Sequence, residues 1–489
     1  MNTEYENLIT AAMQDWHVPG LAIAIINRDK VLYSQGFGWR DCEQQLPVTH
    51  DTIFWIASCS KAFTAFALGL LIDDGKLDWD TTVRSILPDF AMQDPVATER
   101  LTVRDLLCHR SGLPRHDKAW FKVAASRHEL MQRLAHLAPN KDFRAVYQYQ
   151  NIMYIVAGLV VERVSGLSWE AFVQQRIVEP LGMSRTFFAH VAAAQAGNFA
   201  QPYQPVPLRR ATAIGEIQRM AHYAQENSAL GPAGGIQSNI NDLSYWLRMN
   251  LRLMTDDFQL GQSKINRQST IVNLFKPQVV VGDETTLIYG YEEFGHSTYG
   301  LGWRLNTYRG HWLAQHNGAI DGFGSHVSFL PEAGVGVVAL ANVDASNLPA
   351  TLAYCAYDRL LGLPPIDWLG RFKGKIDKWQ AEAVALRNKV LAERKVAAAP
   401  PRSLPNYVGQ FVNAGYGAIG ISQHNGHLAM RFNGLDFSVS HWQDDTFEID
   451  TETFDDPKLM TFRVSAEGQV TGLAIQWEAA VAAIEFERT

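Results

Sequence analysis

The chain has 489 residues and a mass of 54.6 kDa, which at roughly 150 residues per domain leaves room for two or three domains. Hydrophobic residues make up 47% and charged residues 19%, with 13 Trp, 16 Tyr and 24 Phe, a composition that buries large cores and excludes wholesale disorder. With 43 Lys and Arg against 50 Asp and Glu the net charge is −7, so no basic stripe for phosphate neutralisation is expected and nucleic acid is excluded as a partner.

Four cysteines, Cys42, Cys59, Cys108 and Cys355, are spread without CxxC spacing. That excludes a disulfide scaffold and a zinc ribbon, and suits a reducing compartment. The opening run MNTEYENLITAAMQDWHVPG has early acids and no apolar core before a small-residue cleavage site, unlike a secretory signal. The longest apolar stretches, 21–26 and 155–161, fall far short of the ~20 residues that span a bilayer. The expectation is a cytoplasmic protein with no membrane partner; a periplasmic one would require a precursor segment to have been removed.

In chain order, the apolar positions over 4–16 suit an amphipathic helix, and LAIAIIN (21–27) and VLYSQGFGW (31–39) read as strands joined by Arg28-Asp29-Lys30. KAFTAFALGLLIDDG (61–75) is apolar on nearly every face and closes at Gly75, the pattern of a helix buried on all sides. Helical patterns continue over 103–108, 127–137, 151–164 and 169–176, with Gly166 where a helix C-terminus belongs. Strands return at 311–316, 325–330 and 335–342, with Pro331-Glu332-Ala333-Gly334 as a turn, before a helix at 348–361. A sheet assembled from both ends of this region, with helices inserted between, is an α+β plan.

Composition changes near Pro364. Residues 377–396 are rich in Ala, Lys, Glu and Arg and read as an exposed helix, and AAAPPR (397–402) follows as a linker. Beyond it, GAIGISQ (417–423), HLAMRF (427–432), DFSVSHW (436–442), LMTFRV (459–464) and GLAIQW (472–477) are separated by Asn425-Gly426, Asn433-Gly434 and Glu467-Gly468, which predicts an antiparallel sheet or small barrel. The expected division is a first domain over 1–365, a helical and Pro-rich linker over 366–402, and a β domain over 403–489.

Three elements carry chemistry. Ser58-Cys59-Ser60-Lys61 precedes the buried helix, so Ser58 stands at a helix N-terminus with Lys61 one turn on and on the same face. A serine there can be a nucleophile if a neighbouring base takes its proton, while the helix dipole stabilises the anion that follows attack. The plainer reading makes Ser58 an N-cap and Lys61 a surface cation. Tyr149-Gln150-Asn151 opens the helix over 151–164. A tyrosine beside a lysine ammonium is expected to have a lowered pKa and to act as a base, with Asn151 orienting the lysine and a substrate carbonyl. Tyr5-Glu6-Asn7 matches the same pattern without evident chemistry. His316-Asn317-Gly318 ends a predicted strand, where Gly318 lets the edge approach a ligand and the amide of Ala319 can supply half an oxyanion hole. His424-Asn425-Gly426 repeats that triplet on a predicted turn.

Ser-x-x-Lys before a buried helix, then Tyr-x-Asn, then His-x-Gly on a late strand, in that order over residues 5–360, resembles the serine β-lactamase and penicillin-binding protein family in its class C and D-stereospecific peptidase branch, peptidase family S12. VPGLAIAIINRDKVLYSQGFG, LTVRDLLCHRSGLP and GPAGGIQSNINDLSYW support it. The resemblance implies a β-lactamase/transpeptidase-like domain, an antiparallel sheet flanked by helices. It implies Ser58 as the acylated nucleophile, Lys61 as ammonium or transient base, Tyr149 as proton shuttle and Asn151 as positioner. His316 would face the substrate, and the backbone N–H groups of Ser58 and Ala319 would form the oxyanion hole. Where many relatives carry Lys at the strand motif this chain has His316, expected to be partly protonated at neutral pH. Cys59 reads as a small buried thiol, and His109 and Asp242 as loop and cap residues. Tyr407-Val408-Gly409-Gln410-Phe411, Gly415-Tyr416-Gly417, His441-Trp442 and Phe447 resemble the lipocalin-like barrel of some members, thought to shape access to the site or support oligomers.

The reading is a serine hydrolase forming an acyl-enzyme on Ser58, a peptidase or amidase on small peptides containing D-residues. Alternatives are a carboxylesterase on short acyl esters, a weak β-lactamase and a non-catalytic penicillin-binding module. The expected partner is a small molecule or short peptide, with a homo-oligomer allowed. HExxH, acidic metal boxes and GxSxG do not occur, so no metal and no cofactor is expected.

Overall fold

The strand Gly20–Asn27 is buried along almost its whole length, and its alternate residues serve two different cores. Ala22, Ala24 and Ile26 pack with the central helix, whereas Leu21, Ile23 and Ile25 pack with the N-terminal helix. Successive strand side chains point to opposite faces, so a run apolar at every position requires cover on both sides and dictates a three-layer domain. In the computed structural model, which describes residues 3–206, 216–220, 228–255, 258–261, 263–265, 270, 272–282, 286–393, 399–451 and 458–489, that strand lies inside a nine-stranded antiparallel sheet. From one edge the order is Val279–Val280, Thr298–Tyr299, Arg304–Tyr308, His311–Ile320, Phe323–Leu330, Val335–Ala341, Gly20–Asn27, Val31–Asp41 and Leu46–Pro47. The pairing Leu21↔Ala341 through Asn27↔Val335 joins the two ends of the domain.

One face carries the helices Thr3–Asp15 and Leu348–Leu360, and the other carries Ser60–Asp73, Asn151–Ser165 and Ile240–Leu253. Every residue from Ser60 to Leu71 is buried, so this helix has no solvated stripe and is held by packing on all sides. Phe63 stacks on Trp246 with ring centroids 4.0 Å apart. The helix Asn151–Ser165 ends at Gly166 in the left-handed conformation, φ 77°, where glycine avoids the Cβ penalty. At its other end Gln150, not Asn151, is the cap: its side chain accepts the Ile152 N–H at 2.9 Å.

Two elements differ from the sequence reading. The strand expected to stop at His316 runs on to Ile320, because its pairing with Phe323–Leu330 continues through Asn317↔His326 to Ile320↔Phe323 and tertiary pairing overrides the weak β-propensity of Asn and Gly. The helix expected from residue 377 begins at Trp368 and extends to Glu393. Its first turns belong to the main core, since Trp368, Phe372 and Ile376 are buried there. Part of the AAAPPR linker, residues 397 and 398, lies outside the described residues.

The C-terminal strands close into an eight-stranded barrel, sealed where Phe411 pairs with Arg488. Asn425-Gly426 and Asn433-Gly434 have positive φ at both positions, the type I′ hairpin geometry their chemistry prefers. Alternate residues including Phe411, Ile419, Met430, Phe447, Phe462 and Phe486 are buried, so the barrel is filled by its own side chains. It docks on the segment after Arg115. The Tyr416 O–H bonds His116 Nδ1 at 2.7 Å, Glu478 accepts the His116 N–H at 3.0 Å, and the Asn433 amide donates to the Lys118 carbonyl at 2.8 Å.

Phe63→Ala removes a fully buried ring and its Trp246 partner. It is expected to cost about 3–5 kcal/mol, read as a lowered urea midpoint at unchanged slope.

Candidate active site

Ser58 sits on a short 3₁₀ turn, Ala57–Cys59, that leads directly into the buried helix. Ala57 is held at φ 45°, a left-handed conformation that costs an alanine roughly 1–2 kcal/mol. Close packing against the strand His311–Ile320 over-determines it. A Cβ on Gly318 would overlap the Ile56 carbonyl and the Ser325 hydroxyl, Ser325 Oγ donates to Ile56 O at 2.8 Å, and Cys59 Sγ donates to His316 O at 3.3 Å. Glycine at 318 and the buried Cys59 thiol therefore seat the serine turn against the end of this strand, beyond its pairing with Arg304–Tyr308.

One turn on, Lys61 is completely buried. Its Nζ lies 3.1 Å from Ser58 Oγ, 2.8 Å from Asn151 Oδ1 and 2.6 Å from the Ala233 carbonyl. The last comes from the Gly231–Gly234 helix, tied down by Thr64 Oγ1 donating to Pro232 O at 2.7 Å. Burial, reinforced by the Arg115 guanidinium, holds the Lys61 pKa well below the ordinary lysine range. Lys61 Nζ donates toward all three oxygens; those of Asn151 and Ala233 only accept, so Ser58 is the partner to which a lone pair would turn once the amine gives up a proton.

Tyr149 stands just before the Asn151–Ser165 helix, its hydroxyl hydrogen-bonded to Ser58 and its ring 4.8 Å from Lys61 Nζ. Its pKa is raised, not lowered as expected, because burial outweighs the Ser58 hydrogen bond and the Arg115 charge. A nearby cation was visible in the sequence; the loss of water around both groups was not. Tyr149 is thus a protonated phenol, a hydrogen-bond donor rather than a phenolate base.

His316 lines the cavity that contains Ser58, but both its nitrogens are engaged within the protein. Nδ1 is 2.6 Å from the Asn317 carbonyl, which only accepts, so Nδ1 carries the proton and Nε2 accepts the Tyr299 O–H at 2.8 Å. Burial, with Lys61 nearby, lowers its pKa to about 3. The expected partial charge is corrected to a neutral ring. Asn317, the next residue, accepts from His326 Nδ1 at 2.5 Å, and His326 Nε2 accepts from Ser328 Oγ at 2.8 Å, so the amide NH₂ of Asn317 is left for the cavity.

Ser58, Tyr149, His316, Gly318 and Ala319 line one cavity of about 350 Å³, with Lys61 and Asn151 buried beneath. Among the described lining residues Arg115 and Arg304 are the charged ones. Neither was singled out from the sequence, nor were Tyr299 and Trp379, because each reaches the cavity from a segment whose composition is ordinary. His109 was read as a loop residue and is more: it is buried, its ring lies 4.3 Å from that of Tyr149, and its Nδ1 accepts the Gln150 N–H at 3.1 Å. The LLCHRSGLP run was the signal. Asp242 is a brace and not the cap: Asn239 caps the helix Ile240–Leu253 by accepting the Asp242 N–H at 2.8 Å, while the Asp242 carboxylate accepts from Arg185 N and Thr186 Oγ1 at 2.8 and 2.9 Å. The lookalikes are structural: Tyr5 donates to Leu352 O at 2.9 Å, and His424 pairs with His427 across a hairpin turn. The cavity lining runs from residue 58 to residue 379, so the chain's own barrel meets the site at one remove, through His116 beside Arg115.

A serine at a helix start, a buried lysine one turn on, a tyrosine from a second helix and a strand edge facing them define a serine hydrolase of the β-lactamase/transpeptidase fold. Residues 5–356 match the family model Beta-lactamase, and the chain belongs to that family. Residues 393–488 match a domain of unknown function, DUF3471. The chain is 28% identical to unguisins hydrolase ungD′ of Aspergillus campestris, over 85% of this chain and 77% of that protein. It is 24% identical to Protein flp of Staphylococcus aureus, over 71% of this chain and 64% of that one. In fold it is similar to the octameric penicillin-binding protein homologue from Pyrococcus abyssi, with a TM-score of 0.62 over 99% of both chains at 22% identity. A second similar structure is SurE with D-Leu, with a TM-score of 0.54 over 99% of both chains at 18% identity.

The neutral histidines have a cost in acid. His316 and His326 are held at about 3 by burial, against about 6.5 in the unfolded chain. Between those values the unfolded state binds more protons, so stability falls as pH drops below 6.5. Above the carboxylate range, the slope each contributes rises from about 0.7 kcal/mol per pH unit at pH 6.5 towards about 1.4 near pH 5. His326→Gln is expected to remove one such increment from the pH dependence of the urea midpoint.

Proposed function

We propose that the chain cleaves amide bonds of small peptides, D-residues included, through an acyl-enzyme on Ser58. The observation that carries this reading is Lys61, buried with its Nζ against Ser58 Oγ, Asn151 Oδ1 and the Ala233 carbonyl and with its pKa depressed by burial. Lys61 accepts the Ser58 proton as Oγ attacks the substrate carbonyl. The helix N-terminus beneath Ser58, with the backbone N–H groups of Ser58 and Ala319, stabilises the tetrahedral oxyanion. The proton then passes from Lys61 through the Tyr149 hydroxyl to the leaving nitrogen, the C–N bond breaks, and an ester on Ser58 remains. Water attacks that ester by the same relay in reverse, releasing the acid and restoring Ser58.

The fixed positive charge comes from arginine. His316 is neutral, whereas Arg115, which shares its charge with Asp117 through a 2.7 Å ion pair, lies 5.1 Å from the Tyr149 ring and lines the cavity together with Arg304, so the positive charge facing a substrate carboxylate is guanidinium rather than imidazolium. The relative named as a hydrolase supports turnover over a purely binding role. A second reading, a carboxylesterase on short acyl esters, draws on the apolar part of the cavity, Ile288, Tyr354, Phe372 and Trp379. The four cysteines are unpaired, which suits a cytoplasmic setting. Parallel assays of a D-amino-acid p-nitroanilide, a D-Ala-D-Ala peptide, a p-nitrophenyl ester and a chromogenic cephalosporin rank the readings; the amide substrates are expected to give the highest kcat/KM, and ester-only turnover would replace this reading with the second.

Ser58→Ala is expected to abolish labelling by a serine-reactive fluorophosphonate and lower kcat by several orders of magnitude; persistent labelling would place the nucleophile elsewhere. Lys61→Ala and Tyr149→Phe should each lower kcat strongly and combine with far less than additive loss, since they act as one relay.

The pH profile tests the base. Lys61 must be neutral to accept a proton, so kcat/KM falls as pH drops through its depressed pKa. Arg115 contributes to that depression, so Arg115→Ala raises the Lys61 pKa and moves the acid limb to higher pH. A limb that does not move would assign it to another group.

A further inference from the structure

The helix Trp368–Glu393 connects the two domains, yet it takes part in the cavity that holds Ser58. Trp368, Phe372, Ile376 and Trp379 recur at helical spacing on one face. The first three are buried in the domain core, while Phe372 and Trp379 line the cavity. Opposite stands the segment Thr286 to Tyr289, which has little regular structure of its own. Lys375, between Phe372 and Trp379, fastens it: its Nζ donates to the carbonyls of Thr286, Leu287 and Tyr289 at 2.9, 3.2 and 2.7 Å. The same ammonium lies 5.2 Å from the Trp379 ring and 5.5 Å from that of Tyr291. One turn earlier Arg371 pairs with Glu293 at 2.7 Å, and its carbonyl accepts the Tyr291 O–H at 3.1 Å. Helix and segment are thus joined by charged hydrogen bonds into a single wall.

We propose that this wall is a side-chain recognition subsite: Trp379 and Ile288, backed by the buried rings of Phe372 and Tyr354, receive a bulky apolar or aromatic side chain of the substrate residue that adjoins the scissile amide. The inference rests on the hydrolase reading and specifies its substrate class. Three observations select this occupant. The subsite opens into the cavity that Ser58 lines, so a group seated there belongs to the molecule being cleaved. Among the described residues no carboxylate lines it, so it offers nothing to a basic side chain. Its polar rim, Asn317, Gln315 and Arg304, presents the Asn317 amide NH₂ and the Arg304 guanidinium, donors that suit the carbonyl or carboxylate flanking such a side chain. Aromatic walls bury large flat area at low entropic cost, and a cavity of this size takes one such group with its backbone. A Cβ-only side chain would leave the Trp379 face uncovered and lose the corresponding transfer energy.

The test uses the full-length protein and p-nitroanilides of Ala, Leu and Phe in both D and L forms, with fluorophosphonate labelling of Ser58 as a separate readout. The wild type is expected to prefer Phe and Leu over Ala in kcat/KM. Trp379→Ala should lower the Phe-to-Ala ratio about 10- to 100-fold, chiefly through KM, and Trp379→Phe should recover part of it. Lys375→Met, which frees the Thr286 to Tyr289 segment while keeping the tryptophan, should lower the same ratio by a smaller factor. An unchanged ratio in Trp379→Ala, or equal losses on Phe and Ala substrates in both Trp379 variants, overturns the subsite. A wild type that neither labels at Ser58 nor cleaves any anilide overturns the hydrolase reading itself, so the two failures are told apart.

Discussion

The structure of the site depends on a lysine amine that has been taken out of water without a carboxylate to receive it. Burying an ammonium unpaired is costly, and a protein normally answers by pairing it or by letting it lose its proton. Here the partners of Lys61 are a hydroxyl, an amide oxygen and a backbone carbonyl, which hold its geometry but do not pin its charge. An aspartate in place of Asn151 would have fixed the ammonium and left it unable to serve as the proposed base. The surrounding fold serves this choice: a helix apolar on every side, a glycine-rich turn that brings a carbonyl to within 2.6 Å, and Gly302, whose missing Cβ lets a neighbouring loop lie against Lys61 O and Ala62.

Dryness propagates outward from that point. Tyr149 and His316 both share the enclosure, and both are driven to their neutral forms by burial. Positive charge is then left to guanidinium groups, which stay protonated in any surroundings. The division of labour in the proposed mechanism is physically coherent: the groups assigned to move protons sit where desolvation places their pKa values away from their ordinary range, and the groups assigned to attract anions remain permanently charged.

The candidate constellation was readable in the chain because most of its geometry is local. Ser58 and Lys61 meet through one helical turn, and Asn151 follows Tyr149 by two residues, so spacing carries the information. Placement on elements also separated the true motifs from their lookalikes, since Tyr5 belongs to an outer helix and His424 to a hairpin turn. What was not readable is what comes from burial and from closure. The direction of the Tyr149 shift needs the amount of water excluded, and Arg115, Arg304 and Trp379 converge from three distant segments with no shared pattern. The strand beyond His316 was hidden because Asn317 and Gly318 are poor strand formers by themselves, and only the register with Phe323–Leu330 makes them strand. In the barrel the hairpin turns were clear from Asn-Gly pairs, whereas Thr446–Ile449 and Ile484–Arg488 are short or charge-flanked and show little alternation.

The long helix between the domains has a consequence for how such chains can be recombined. Its first turns are core, its middle contributes Trp379 to the cavity, and farther on Arg387 reaches Glu448 on the barrel, 3.7 Å away. A crossover made where the composition changes, near Pro364, would exchange Phe372 and Trp379, the helix's share of the wall, together with the barrel, whereas one made after residue 380 would exchange the barrel without them. A single helix thus lets selectivity travel with the C-terminal module, and a shuffled library with its junction in either place would inherit different pockets from the same two parents.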